Sequence, residues 1–397
     1  MKIGIFTDSY KPYTSGVVTS ISTFKEEMTR LGHEVHIFAP SYPNYEDDEA
    51  NVYRFYSVPS PTNPDFTLAI PVYPGLNLIV RRLKLDIIHV QSPFTMGRVG
   101  LHYARKYRIP LVFTYHSRYD QYVHYVPIAQ ELAKEITIKY SSSFCNHCDH
   151  IIVPSADIEE IVSDFAVHKP ITVIPTGIPL QRFKNGDPHW LRANFDIPEN
   201  NKILLFVGRL TKEKNLPFLI RTFTQVKNQQ PNTTLVLTAQ GPMEEELKAL
   251  SSELGLSAQD IIFTGAVPFD TLVNVYYSAD LFVFSSLTET QGLVITEAMA
   301  AGLPVVAVRA SGVQDMVDDG VNGILTNLDM DELADAICRV LEDEVLYHHL
   351  KKNALLKAES LSARSMALKL EALYEQLLEG HTYRPNRLLD VGNWFNH

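Results

Sequence analysis

Short apolar runs alternate with helical stretches along this whole chain, and that alternation constrains the fold more than any other feature. The runs KIGIFTD and DIIHVQ are nearly continuously apolar instead of alternating with polar residues. Strands of this kind are covered on both faces, as in a parallel sheet with crossover helices on each side. The same pattern restarts with KILLFVGR and DLFVFSS. We therefore predict an α/β protein with two Rossmann-like, doubly wound domains that face a cleft.

A polar segment from Gly177 to Asn200, which contains three prolines, separates the two series of strands. Prolines and polar residues punctuate regular structure, so we expect a linker here. We predict a first domain over 1–180, a second over 181–375 and a tail over 376–397. The pattern from Leu355 to Leu378 predicts helical structure. The 397 residues suit two domains of ordinary size.

The net charge of −11 is unevenly distributed. Basic and acidic residues balance over 1–185, whereas residues 51–150 carry 11 basic and 6 acidic side chains. An acidic chain is a poor partner for nucleic acid, so we expect none. The local basic surplus is compatible with an anionic membrane surface, and equally with an ordinary solvated surface.

The cysteines and the apolar stretches indicate the compartment. The pair Cys145 and Cys148 forms a CxxC motif without a second pair, so neither a zinc site nor a disulfide framework is expected. A reduced, cytoplasmic setting fits best. The N-terminal apolar run is too short for a signal peptide, and Phe66 to Val80 is too short and too rich in proline to span a bilayer. Any membrane contact would therefore be peripheral.

Three polar or flexible positions follow predicted strands and precede helices. Gly16 lies where the turn after the first strand enters a helix, and a residue without a Cβ lets backbone amides approach a phosphate. Arg209 and Lys214 follow the run KILLFVG, and two cations at a helix start suit a diphosphate. A turn glycine and a solvated basic loop are the plain alternatives for these positions.

The most informative motif follows the run DLFVFSS. Glu289 lies in the loop, and Glu297 follows eight residues later inside a predicted helix. A carboxylate one turn into such a helix can accept hydrogen bonds from ribose hydroxyls. The amides of Gly292, Leu293 and Val294 open the helix and can hold a phosphate.

His116 follows the run PLVFTYH at the predicted cleft, next to a dense aromatic and polar segment. Tyr119 and Asp120 belong to that segment, and we expect them near the acceptor. A histidine at a strand end is often structural, but this position favours a functional role.

The triplet Asp329-Met-Asp331 has the form of a metal-binding DxD motif. It begins a helical run, and Asp329 with Glu332 matches a capping box in which Asp replaces Ser or Thr. We interpret it as a helix cap and predict no required metal.

Gly16, His116, the segment GRLTKEKN and the two glutamates in an E-x7-E frame occur in this order. With the continuation GLVITEAMAAGLPVVA, they resemble the retaining glycosyltransferases of family 4, which have the two-domain GT-B fold. The segments IPTGI at 174–178 and VNGIL at 321–325 are also similar to that family. The resemblance extends from about residue 1 to 375.

This resemblance implies a nucleotide sugar held mainly by the second domain. Arg209 and Lys214 would neutralise the diphosphate leaving group. Glu297 would hold the ribose, Glu289 would orient the hydroxyls of the donor sugar, and the backbone near Val267 would meet the base.

In the first domain, the resemblance implies that Gly16 closes over the phosphates and that His116 contacts the donor sugar. No enzyme nucleophile is firmly established for retention in this family, and a front-face displacement is the usual proposal. Positioning and charge stabilisation would supply most of the catalysis, with a UDP-sugar as donor substrate and no required cofactor.

The segments SGVVTSI, HVQSPF and YHSRYDQYVHY are similar to bacterial diacylglycerol glucosyltransferases, which are peripheral membrane enzymes. This implies transfer of a hexose from UDP-sugar to 1,2-diacylglycerol at the inner face of the cell membrane, with glucose as the expected hexose. The segment 76–85 could form a helix with Leu76, Ile79, Val80 and Leu83 on one face, flanked by basic residues. Such a helix could lie on anionic lipid, or it could pack into the core with its basic residues solvated.

Three alternatives stay open on sequence grounds. The acceptor could be a soluble molecule or a polysaccharide. The chain could be a phosphorylase, which in this fold needs pyridoxal phosphate, or an epimerase. It could also be a catalytically silent sugar-binding protein, although the set of charged residues argues against that. The sequence decides neither the sugar nor the oligomeric state.

Overall fold

The computed structural model describes residues 1–60, 66–118 and 130–382 of the chain. Its first half is a sequence of strands with helices between them. The elements are β1 (Lys2–Phe6), α1 (Gly16–Arg30), β2 (Glu34–Pro40), β3 (Val52–Phe55), β4 (Ser57–Pro59), β5 (Thr67–Ala69), α2 (Leu76–Leu83), β6 (Ile87–Val90), α3 (Thr95–Tyr107), β7 (Leu111–Thr114), α4 (Gln130–His147), β8 (His150–Val153), α5 (Ala156–Asp164) and β9 (Ile171–Val173).

Seven of these strands form one parallel sheet in the order β3-β2-β1-β6-β7-β8-β9. The order reverses direction at β1, as in doubly wound folds. β6, β7 and β8 are buried at every residue, because helices cover both faces of the sheet. The continuous apolar runs of the sequence thus correspond to central strands. β4 and β5 form a separate antiparallel hairpin beside the sheet.

The second half repeats the plan with its own sheet, in the order β12-β11-β10-β13-β14-β15, again fully parallel. The elements are α6 (Trp190–Phe195), β10 (Lys202–Val207), α7 (Leu216–Gln229), β11 (Thr233–Thr238), α8 (Glu244–Glu253), β12 (Ile261–Gly265), α9 (Phe269–Tyr277), β13 (Leu281–Phe284), α10 (Leu293–Ala300), β14 (Val305–Val308), α11 (Val313–Met316), β15 (Gly323–Thr326), α12 (Met330–Glu342), α13 (Glu344–Ser360) and α14 (Ala363–Thr382). The predicted architecture of two Rossmann-like domains is confirmed.

The predicted linker is partly helical. A short 3-10 helix covers Leu180–Phe183, and α6 follows it. Phe183 and Leu191 are buried in the core of the second domain, so this segment is anchored by packing. The prolines and polar residues of this segment indicate its turns. They gave no helical pattern from which its two short helices could be predicted.

The segment from Leu355 to Leu378, predicted to be helical, contains the end of α13 and most of α14, with a break between them. α13 ends at Ser360, and Ser362 caps α14 by accepting a hydrogen bond from the amide of Ser365. The break occurs because the chain here pairs with the linker: the amide of Ile178 donates to the carbonyl of Leu361 at 2.9 Å.

α14 returns to the first domain after the second domain is complete. It packs against α1. The Tyr374 hydroxyl lies 2.6 Å from His89 Nδ1, and Glu371 lies 2.6 Å from His33 Nε2. The division of the chain into 1–180 and 181–375 stays a prediction, and no pattern in the sequence indicated this contact between α14 and the first domain.

Candidate active site

The residues selected from the sequence follow the carboxyl ends of strands in both sheets. In the first domain these are the loops after β1 and β7. In the second domain they are the loops after β10, β12 and β13. Ligands of open parallel sheets bind outside the carboxyl ends of the strands, so this is the expected position for a site.

The loop between β13 and α10 is held in place by a close contact between two backbone segments and by hydrogen bonds from side-chain hydroxyl groups. Gly292 has a φ of 75° and caps α10, a conformation that glycine adopts without strain. A Cβ on Gly312 would lie 2.7 Å from the carbonyl oxygen of Glu289, so only glycine permits this close approach. The Ser285 hydroxyl donates to the carbonyl of Lys214 at 2.9 Å. The loops after β10 and β13 therefore form one unit.

Lys214 and Glu289 form an ion pair, which sequence reasoning had not foreseen. Their side chains are 19% and 15% exposed, and the Lys214 ammonium also lies 5.8 Å from the Phe284 ring centre. A diphosphate would compete with Glu289 for this cation, and a sugar hydroxyl would compete with Lys214 for the carboxylate. The pair thus holds both charges in place before a ligand binds.

Arg209 has a different environment. It follows β10 and is exposed, and within the described ranges of the chain its guanidinium makes no ion pair.

The amides of Gly292, Leu293 and Val294 belong to the start of α10, where the helix dipole favours an anion. Leu293 and Val294 are themselves half-buried.

Glu297 is a buried carboxylic acid on α10. Its Oε2 accepts a hydrogen bond from the Tyr276 hydroxyl at 2.7 Å. Burial raises the pKa of Glu297 to about 7, and the Tyr276 hydrogen bond only partly opposes this effect. The sequence had predicted a carboxylate that accepts hydrogen bonds from ribose hydroxyls, and that role stays a prediction. The structure places this carboxylate in the wall of a cavity, where its charge is costly until a ligand supplies further hydrogen bonds.

That cavity lies between the two domains and has a volume of about 250 Å³. Leu293 and Glu297 line it from α10, and the segment from Lys11 to Ser15 lines it from the first domain. Gly16 is the first residue of α1, and a Cβ there would lie 3.8 Å from a Leu293 methyl carbon. The starts of α1 and α10 therefore face each other across the cleft.

His116 follows β7 with a half-buried ring. Its Nε2 lies 2.7 Å from Oε1 of Gln91, the residue that follows β6. Burial lowers the pKa of His116 to about 4, so the ring is neutral at physiological pH.

Two other parts of the predicted site carry less information. Val267 lies in the loop after β12, half-buried against the core of the second domain, close to the left-handed Gly265. Its predicted contact with a base stays a prediction. Tyr119 and Asp120 lie outside the described residues.

Asp329 is a helix cap, as the sequence predicted. Its Oδ1 accepts hydrogen bonds from the amides of Asp331 and Glu332 at 2.9 and 3.0 Å. Glu332 turns instead to the amide of Asn327 at 3.2 Å, so the reciprocal half of the capping box is absent. The carboxylate of Asp329 is thereby occupied by its own helix.

Two family models match the chain. The model described as Glycosyltransferase Family 4 matches residues 14–182, and the model described as Glycosyl transferases group 1 matches residues 190–357. An alpha-monoglucosyldiacylglycerol synthase from Streptococcus pneumoniae is 35% identical over 86% of this chain and 78% of its own length. The chain is a family 4 glycosyltransferase.

Further relatives of this glycosyltransferase differ in their donors. The alpha-monoglucosyldiacylglycerol synthase of Acholeplasma laidlawii is 32% identical over 98% of this chain and 100% of its own length. A GDP-mannose-dependent alpha-mannosyltransferase from Corynebacterium glutamicum is 28% identical over 83% of the chain and 77% of its own length. Family membership and a glycosyltransferase activity, as expected from the motifs, are confirmed.

Solved structures support the same fold for this family 4 enzyme. The Anabaena protein HepE, in a crystal structure with UDP and glucose, superposes with a TM-score of 0.75 at 21% identity. That match covers 95% of this chain and 100% of the Anabaena chain. The GT-B architecture is therefore confirmed.

One residue of the glycosyltransferase site was missed by sequence reasoning although it lies inside the motif. The side-chain amide of Gln291 is buried and pairs with the backbone of Thr176 in both directions, each bond 2.8 Å long. The Thr176 hydroxyl continues to the hydroxyl of Ser20 on α1, also at 2.8 Å. A polar residue between Glu289 and Gly292 was the only available signal, and nothing in the sequence identified its partner.

Proposed function

We propose that this glycosyltransferase transfers glucose from UDP-glucose to the free hydroxyl of 1,2-diacylglycerol, with retention at the anomeric carbon. The observation that carries the proposal is the end-to-end match with the Acholeplasma synthase, which spans 98% of this chain. The cleft geometry is consistent with it, because Leu293 and Glu297 of α10 face the first domain across a cavity.

The donor would bind mainly to the second domain. Arg209, Lys214 and the start of α10 would stabilise the charge that develops on the departing diphosphate. Glu297 would accept hydrogen bonds from the ribose hydroxyls, and Glu289 would orient the sugar. A UDP complex of HepE, which has the same fold, supports a nucleotide-sugar donor.

The first domain would complete the site. The start of α1 at Gly16 faces α10 and would cover the phosphates, and His116 would contact the donor sugar. In a front-face displacement, the acceptor hydroxyl forms the new bond to the anomeric carbon as the bond to the diphosphate breaks. The hydroxyl proton passes to an oxygen of the leaving phosphate, so no enzyme nucleophile is required.

A membrane-facing surface would bring the lipid acceptor to the cleft. The helix face proposed from the sequence does not supply it, because Leu76 and Val80 are buried in the core. A group of exposed apolar side chains lies instead on the β4–β5 hairpin and directly beside its two ends. They are Tyr56, Val58, Leu68, Ile70 and Val72.

Basic residues accompany this apolar surface. Val72 and Arg98 line one open groove, and Arg81, Arg82 and Lys84 are exposed at the end of α2. Each basic residue near an anionic surface contributes about 1 kcal/mol, so a few of them give reversible docking. Within residues 1–60, 66–118 and 130–382, no helix has the length and apolar character needed to cross a bilayer. The proposed location is therefore peripheral, on the cytoplasmic face of the membrane.

The test is transfer of labelled sugar to diacylglycerol in mixed micelles, with and without anionic lipid, using UDP-glucose, UDP-galactose and GDP-mannose in parallel. We expect labelled glycolipid from UDP-glucose, increasing with anionic lipid. Product from GDP-mannose alone would refute the donor. Binding and slow hydrolysis of UDP-glucose without any lipid product would refute the lipid acceptor and direct attention to soluble acceptors.

A further inference from the structure

The hydrogen bond between His116 and Gln91 joins two neighbouring strands at the cleft. Gln91 directly follows β6 and His116 closely follows β7, and these two strands pair in parallel. The Gln91 side chain is only 5% exposed, and its Oε1 lies 2.7 Å from His116 Nε2. A buried amide at this distance determines which ring nitrogen of His116 carries the proton, and therefore whether Nδ1 can accept a hydrogen bond.

An amide oxygen can only accept a hydrogen bond, so Nε2 must carry the proton. The ring is neutral, because burial lowers the pKa of His116 to about 4. A neutral imidazole has one protonated nitrogen, which leaves Nδ1 with a free lone pair. No hydrogen bond to Nδ1 is present among the described parts of the chain. With respect to the described residues, Nδ1 is therefore an acceptor without a protein partner.

His89, a histidine in β6, differs from His116 in the partners of its ring nitrogens. His89 precedes Gln91 by two residues, and both of its ring nitrogens have partners within the protein. Its Nδ1 lies 2.6 Å from the Tyr374 hydroxyl, and its Nε2 lies 2.6 Å from the Thr114 hydroxyl. His89 thus hydrogen bonds within the protein through both ring nitrogens, whereas His116 does so only through Nε2 among the described residues.

The end of β6 is firmly anchored, so Gln91 is a rigid partner. The backbone amide of Gln91 donates to the carbonyl of Phe6 at 2.9 Å. The next residue, Ser92, donates from its hydroxyl to the half-buried carboxyl of Asp8, whose other oxygen accepts from the amide of Met96 at 3.0 Å. A side chain held in this way fixes both the tautomer and the orientation of the ring it contacts.

We propose that Gln91 is a positioning residue that holds His116 in its Nε2–H tautomer, so that Nδ1 accepts a hydrogen bond from a hydroxyl of the donor sugar. This inference rests on the role of His116 in the proposed function. It explains why a glutamine, which is not itself expected to touch the sugar, is buried at the cleft.

The first test is a double-mutant cycle at pH 8, with initial rates of sugar transfer and calorimetric affinity for UDP. Gln91→Met keeps the volume of the side chain and removes the acceptor. We expect its kcat to fall about 10-fold or more while its affinity for UDP, which has no sugar, stays within about twofold. In a His116→Ala background, Gln91→Met should have no further effect. Additive losses would overturn the proposal.

Gln91→Glu is the conservative variant, because a carboxylate also accepts from Nε2–H. We expect it to restore kcat to within about threefold of the original enzyme at pH 8. It should lose activity as the pH falls, since the added charge favours the doubly protonated ring. Among the described residues, His89 of β6 lies close enough to His116 for their charges to interact, Tyr374 of α14 contacts His89, and Asp8 contacts Ser92 next to Gln91. A Gln91→Glu variant as slow as Gln91→Met would contradict the proposal.

Nitrogen-15 spectra of the unsubstituted, histidine-labelled protein provide a test that needs no active variant. His116 should show the pattern of the Nε2–H tautomer, and Gln91→Met should change it. An Nδ1–H tautomer would mean that the amide is turned around, and the proposal would be wrong. If His116→Ala alone leaves kcat unchanged while the tautomer is as expected, then the sugar contact of the proposed function fails instead.

Discussion

Glu297 offers a test in which stability and ligand binding should respond in opposite directions. Its side chain is 8% exposed, and burial raises its pKa from 4.5 to about 7. The folded protein therefore holds a proton on Glu297 where the unfolded chain has released it. The stabilising effect of protonation is fully present below pH 4.5 and is lost as the pH rises to about 7.

The expected size follows from this pKa difference. A difference of about 2.5 pKa units corresponds to about 3 kcal/mol, at about 1.4 kcal/mol per unit. Glu297→Gln stays neutral at every pH and can still accept the Tyr276 hydrogen bond. We expect this variant to raise the free energy of unfolding by about 3 kcal/mol at pH 8 and by less than about 1 kcal/mol at pH 5.

Urea unfolding of the ligand-free protein at both pH values measures the effect. The control is Glu245→Gln, because the Glu245 side chain is 89% exposed; we expect it to change stability by less than about 0.5 kcal/mol. Glu297→Gln should also bind UDP more weakly by calorimetry, because a carboxylate is lost from the ribose site. A stabilisation of equal size at pH 5 and pH 8 would refute the reasoning about burial.

Four further outcomes are expected. Arg209→Ala should lose most turnover while the protein stays folded, and the exposed Arg221→Ala on α7 should not; near-normal kcat for Arg209→Ala would remove it from the leaving-group site. Lys214→Met should weaken UDP binding about 10-fold or more by calorimetry, since it removes a cation from the diphosphate site. Gln291→Leu should lower the unfolding midpoint, because it leaves the amide and carbonyl of Thr176 without partners at about 1–3 kcal/mol each. Replacing Arg81 and Arg82 with Glu should reduce sedimentation with anionic vesicles and leave UDP affinity unchanged.

The strands and the central motif were predictable because their signals are local. β6, β7 and β10 are continuous apolar runs, and burial on both faces leaves that mark in the sequence itself. Glu289 and Glu297 lie eight residues apart in one segment, so a single reading of the chain finds both.

Contacts between distant segments were not predictable. Lys214 and Glu289 are 75 residues apart, and Gln291 and Thr176 are 115 residues apart. No period or composition rule connects such positions, because the connection exists only after two sheets have formed and packed. The pKa of Glu297 has the same origin, since it depends on how completely the neighbouring elements cover that carboxyl.

The return of α14 gives the molecule two connections between its domains at one place. The amide of Ala363 donates to the carbonyl of Ile178 at 2.8 Å, and a Cβ on Gly177 would lie 2.5 Å from the Ala363 Cα atom. Because these two chain segments are bonded side by side, any rotation between the two domains would have its axis close to this pair of segments. Thr176 lies directly before Gly177 and holds the amide of Gln291. The loop between β13 and α10 is attached next to that axis, so such a rotation would displace it less than it would displace the outer edges of the cleft.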